Sequence, residues 1–143
     1  MTSASDVAKY LLQSHGPMST MKLQKLVFYA QAYKLAWLGR PIFTEHVRAW
    51  THGPVVYELW QQHAGETVAE ADDIEADGRV ALDANDLEVI EAVWDGLGSL
   101  SGWELRNRTH DEDPWKDAFD PQEPRHNRII SHESMSSFYS VKP

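Results

Sequence analysis

The sequence predicts a mainly α fold: a single compact helical domain over residues 1–143, built around a central apolar helix, with a small two-stranded β element. Three observations carry this. The segment ending at Leu38 is apolar on nearly every face, through Leu23, Leu26, Val27, Phe28, Tyr29, Ala30, Tyr33, Leu35, Trp37 and Leu38. A helix of that kind is wrapped by other helices rather than laid on a surface. Capping residues and Gly or Pro terminators recur at helical spacing along the rest of the chain. Finally, one β-type run, Val47–Thr51, has a counterpart in Arg128–Ile130 that can pair with it.

The first helix spans Asp6 to His15, capped by Ser3 or Ser5 and ended by Gly16-Pro17, with Val7, Tyr10 and Leu11 on its inner face. Ser19 or Thr20 caps the central helix, which stops at Gly39-Arg40-Pro41. After the Val47 run, Pro54 is placed as the first residue of a third helix carrying Val55, Val56, Leu59 and Trp60 and ending near Gly65. Glu66–Asp77 is acidic and poor in large apolar groups, which predicts a mobile surface loop. Asp83 or Asn85 opens a fourth helix with Leu87, Ile90 and Trp94 on its inner side, and Ser99 or Ser101 a fifth, Trp103–Arg108. Asp113 is read as the cap of a short turn over Pro114-Trp115-Lys116, and Ser131 as the cap of a last helix with Met135, Phe138 and Tyr139.

Composition narrows the function classes. The 143 residues include 22 Asp and Glu against 13 Lys and Arg, for a net charge of −9. No Lys or Arg run offsets that charge, so nucleic acid is not an expected partner and a basic protein surface suits the chain better. Cysteine is absent, which removes disulfide and thiolate chemistry. The first residues lack a signal peptide's basic start, and Lys25 and Lys34 interrupt the longest apolar stretch, so a cytoplasmic protein with no membrane span is expected.

No catalytic device has recognisable spacing. His110, Asp111, Glu112 and Asp113 offer metal-ligand atoms, with His52 or His46 in reserve, but adjacent residues rarely converge on one ion. The Glu123-x-x-His126 pair contains Pro124 and falls in a loop. Gly-x-Ser-x-Gly is missing, and Gly53-Pro54 supplies no nest of amide donors for a phosphate. The expectation is therefore no catalytic residues, no metal and no cofactor, with a small metal-dependent hydrolase using His110 and the neighbouring acids as the enzymatic alternative.

Lys25 stands out because Phe28, Tyr29 and Ala32 surround it at helical spacing. Burying its ammonium is costly unless an acid accompanies it. Glu112 or Asp113 would serve; alternatively the side chain snorkels to solvent or meets an acid of a partner. All six tryptophans occupy plausible inward positions, and Trp50, Trp60 and Trp115, near loop ends, could instead form an exposed anchor patch.

Three groups of residues resemble the Panacea domain, the SocA-like antitoxin family. They are Lys22-Leu23-Gln24-Lys25-Leu26 with its trailing aromatics, Ala49-Trp50 with Gly53-Pro54-Val55-Val56, and Leu105 through Thr109-His110 to Asp113-Pro114-Trp115. A closing pattern follows at Ile130, Glu133, Phe138 and Tyr139. The resemblance implies a helical domain that acts as the antitoxin of a toxin–antitoxin pair, neutralising a cognate toxin encoded by the adjacent gene through direct binding. Some members instead act as adaptors that deliver the toxin to a AAA+ protease, and members also occur on prophages and phages, so the resemblance allows a defence or prophage setting. No appended DNA-binding segment is recognised, so operator binding is not implied. Lys22, Lys25, Trp50, Gly53, Pro54, Trp60, His110, Asp113 and Trp115 are carried forward as partner-binding or fold-signature candidates.

Overall fold

The computed structural model describes residues 2–123 and 128–140. Helix α1 (Ala4–His15) starts at a capping box in which Ser3 and Asp6 satisfy each other's backbone amides. Strand β1 (Met18–Ser19) leads directly into α2 (Thr20–Leu38), which Ser19 caps and Gly39 ends in the left-handed conformation at φ 74°. Residues 23–35 of α2 are buried without interruption, so it is the central strut the sequence predicts.

Strands β2 (Val47–Trp50) and β3 (Gly53–Val56) form an antiparallel hairpin closed by Thr51 and His52. Pro54 therefore lies within a strand and does not open the third helix; α3 (Tyr57–His63) begins after Val56. The physical reason is the turn. Gly53, at φ 107°, reverses the chain, and β3 is an edge strand, where a residue without an N–H is tolerated. Val55 and Val56 are correspondingly buried strand residues.

The Glu66–Asp77 segment also departs from expectation. Strand β4 (Val68–Ala69) pairs with β1, and two 3-10 turns follow, at Ala71–Asp73 and Gly78–Ala81. Ile74 is buried among the core residues. Two side chains, one from α1 and one from α3, stitch the segment down. The Asp6 carboxylate accepts from the Asp77 and Gly78 amides at 2.8 and 3.1 Å, and the Gln62 carbonyl accepts from the Glu75 amide at 2.7 Å.

Helix α4 (Ala84–Leu97) starts at Asp83 and buries Val89, Ile90, Val93 and Leu97, leaving Leu87 and Trp94 only partly covered. Helix α5 (Gly102–His110) follows a Ser101–Glu104 capping box. A Cβ on Gly102 would stand 2.9 Å from the Lys22 amide nitrogen, so glycine permits this close approach to the start of α2. Helix α6 (Asp113–Ala118) has Glu112 at its cap position, and Asp113 is its first helical residue. Strand β5 (Ile129–Ile130) pairs with β2, as expected from the sequence, giving a three-stranded sheet of order β3-β2-β5. Helix α7 (His132–Phe138) then packs Met135 and Tyr139 into the core. The β content thus exceeds the two strands expected. Pro124 and His126 lie outside the described residues.

Lys34 near the end of α2 forms a buried ion pair with Asp86 in the first turn of α4. Asp86 also closes the α4 capping box with Asp83. Replacing one partner of a buried pair leaves an uncompensated charge, which costs about 3–5 kcal/mol. Asp86→Asn should therefore lower stability by that amount in denaturant titration, and the double variant Lys34→Met/Asp86→Leu should recover most of the loss.

Candidate functional site

A groove of about 500 Å³ opens between the start of α2, the β2–β3 hairpin and α3. Lys25 lies at its floor, with Met21, Val55, Trp50 and Trp60 among the walls and Glu66 at one side. Trp50 packs edge-on against Trp60 with ring centres 5.5 Å apart, and Tyr57 stacks on Trp60 at 5.7 Å. This aromatic wall follows from the hairpin: strand alternation and the first turn of α3 bring positions 50, 57 and 60 to one side.

Lys25 is 2% exposed. Gly53 is what allows it to fit, because a Cβ there would stand 2.6 Å from the Lys25 Cε and 3.0 Å from the Thr109 hydroxyl. The expected pairing with Glu112 or Asp113 does not occur, and among the described residues Lys25 has no carboxylate partner. Burial lowers its pKa to about 7, and the Arg106 guanidinium pushes in the same direction. The imidazole Nε2 of His63 accepts a 3.0 Å hydrogen bond from the Gln24 side-chain NH2, and burial lowers its pKa as well.

Glu112 is occupied elsewhere. It accepts hydrogen bonds from the Tyr29 and Tyr139 hydroxyls at 2.6 and 2.8 Å and lies 3.5 Å from Arg108. Burial raises its pKa against these stabilising contacts, and both tyrosines are raised too, first by burial. Asp113 is exposed on α6. His110 instead stacks flat on Trp115 at 3.8 Å, its Nε2 buried without a hydrogen bond, and burial holds its pKa down to about 4. His110, Glu112 and Asp113 therefore point to different surroundings, and among the described residues no three His, Asp or Glu side chains are placed to hold a metal ion.

Of the sequence candidates, Lys25, Trp50 and Trp60 line the groove and Gly53 backs onto it. Trp115 supports it from behind, donating from its indole N–H to the Trp50 carbonyl at 2.8 Å while Phe119 covers its other face. Lys22 lies apart, its ammonium donating to the Gly98 carbonyl and resting 5.1 Å from the Trp94 ring centre. Trp103, expected inside, is 55% exposed beside Arg106, whose guanidinium is 4.4 Å from the ring centre. Gln24, His63 and Arg106 were not among the candidates read from the sequence. A polar residue among buried neighbours was the available signal for Gln24; for the other two the sequence carried none.

A family model described as Antitoxin SocA-like, Panacea domain matches residues 23–116, about two thirds of the chain. The chain belongs to that family. The matched segment of this antitoxin-like domain holds the groove's Lys25, its hairpin, its aromatic wall and the Trp115 support, while α1 and α7 lie outside it. No curated protein and no solved structure matches the chain. Among the described residues no helix is long and apolar enough to cross a membrane.

Two outcomes follow. Truncating a buried tryptophan costs about 3–5 kcal/mol, so Trp115→Ala should lower the unfolding free energy by that much; near-wild-type melting combined with lost partner binding would place Trp115 in the interface instead. Lys25 has a folded pKa of about 7 against 10.5 for a free lysine, so its burial cost is present in full below pH 7 and fades as pH rises toward 10.5. Lys25→Met should therefore be more stable than wild type by a few kcal/mol near pH 6, with the gap narrowing toward pH 10.

Proposed function

We propose that this chain is the antitoxin of a toxin–antitoxin pair and neutralises its cognate toxin by direct protein–protein binding, with the Lys25–Trp50–Trp60 groove as the contact surface. The observation that carries the reading is the position of the groove. All its lining residues except Thr20 and Met21 belong to the family-matched segment, and it combines aromatic walls with a buried lysine that no described residue pairs with. Aromatic side chains in pockets are the usual anchors of protein interfaces, and a groove of this size accepts one or two partner side chains. The role is one of binding, not turnover, and it is carried out in the cytoplasm. A net charge of −9 suits a basic toxin surface around the groove and disfavours nucleic acid.

Co-expression with the product of the adjacent gene tests this. The expected outcome is a lethal neighbour whose toxicity is relieved by this chain and which co-purifies with it at fixed stoichiometry. A harmless neighbour that does not bind would overturn the reading. Relief that vanishes when a AAA+ protease is deleted, with toxin levels recovering, would place the chain among the delivery adaptors.

A further inference from the structure

We propose that the groove receives an acidic side chain of the toxin, whose carboxylate pairs with the Lys25 ammonium at the floor. The inference rests on the toxin-binding reading and names the chemistry of the contact.

Four polar side chains are buried along α2: Gln24, Lys25, Gln31 and Lys34. Three of them are satisfied within the chain. Gln24 bonds the Val56 backbone, Gln31 the backbone of Ile42 and Phe43, and Lys34 the Asp86 carboxylate. Lys25 is the exception: its ammonium makes no hydrogen bond or ion pair among the described residues, and it faces the groove. A polar group in that position is costly to leave unmet, so a ligand that meets it gains what the free protein lacks.

The surroundings select the charge of that ligand. Arg106 and His110 of α5, His63 of α3 and His52 of the hairpin turn face the Lys25 region, and Glu66 is the one carboxylate among the described lining residues. The groove floor is thus locally positive or neutral on a chain whose net charge is −9. A monoanion fits better than a phosphate. Lys25 is the one Lys or Arg among the described lining residues, and Arg106 is engaged by Trp103, His52 and Asn107. Phosphate recognition ordinarily draws on several charged donors or a row of backbone amides. The methylenes of an Asp or Glu side chain would pack against Trp50, Trp60 and Val55, while its carboxylate reaches the floor. Because the ammonium is only partly protonated near neutral pH in the empty groove, pairing takes up a proton.

The first arm uses the full chain with 13C-labelled lysine, and the ε-carbon signal of Lys25 assigned by its absence in Lys25→Met. The probes are N-acetyl-glutamate N-methylamide, its glutamine analogue and inorganic phosphate. The expected result is a saturable shift with the glutamate compound and a titration midpoint raised by about one pH unit or more. No response, an equal response to the glutamine compound, or a stronger response to phosphate would overturn the proposal. The second arm compares toxin binding by wild type and Lys25→Met. Loss of a buried charge partner predicts binding weaker by about thirtyfold or more, although the free variant melts no lower than wild type. Undiminished binding by a folded variant would overturn the proposal. If no toxin binds at all, the toxin-binding reading fails by itself, and the glutamate titration still decides the chemistry of the groove.

Discussion

Helix α2 is buried on every side, so each polar side chain it carries must be met by a neighbouring element or go without water. This constraint organises the molecule. The Gln24 amide spans the Val56 N–H and C=O, fixing the end of β3 and the start of α3 against α2. Two turns further on, Gln31 does the same for the segment entering β2, accepting from the Ile42 amide at 2.8 Å and donating to the Phe43 carbonyl at 2.7 Å. Lys34 then draws in the first turn of α4 through Asp86. Three polar residues that look out of place on an apolar helix are each the docking point of a separate element. Such bonds contribute modestly to net stability, but breaking one leaves a buried group unmet, which penalises alternative packings.

The groove lies where this scheme is incomplete. Lys25 sits on the same helix under the same constraint, but the backbone packed against its side chain is that of Gly53 at the start of β3, which has no side chain to offer. Removing the side chain at Gly53 makes room for the lysine and at the same time denies it a partner. The hairpin is held from behind, where the Trp115 indole donates to the Trp50 carbonyl and His110 and Phe119 stack on the indole. A rigid, partly unsatisfied cleft is a feature of binding sites far more than of cores.

The third sequence motif has a different task. Glu112 gathers the hydroxyls of Tyr29 and Tyr139, with Arg108 alongside, so the turn between α5 and α6 is tied both to α2 and to the end of α7. Phe28, Tyr29 and Tyr33 surround the Tyr139 ring at 5.2–5.8 Å. Glu112 is thus consumed in closing the fold, Asp113 is exposed on α6, and Lys25 is left without either.

Most of the helices, five of their caps and the central position of α2 were legible in the sequence, because capping boxes, terminating glycines and apolar periodicity act within a few residues of one another. Ser3, Ser19, Asp83, Ser101 and Ser131 all cap helices where local chemistry places them. The β2–β5 pairing was legible for a similar reason, since the two β-type runs had no better use. Three features were decided by tertiary structure alone. Pro54 became a strand residue because Gly53 turned the chain and an edge position forgave the missing donor. The acidic segment after α3 was ordered by the Asp6 carboxylate, remote in sequence, and by the Gln62 amide of α3 itself. And Glu112 paired with two tyrosines instead of Lys25, because charge alone does not choose between partners: the choice falls to which groups the packed helices bring within hydrogen-bonding distance.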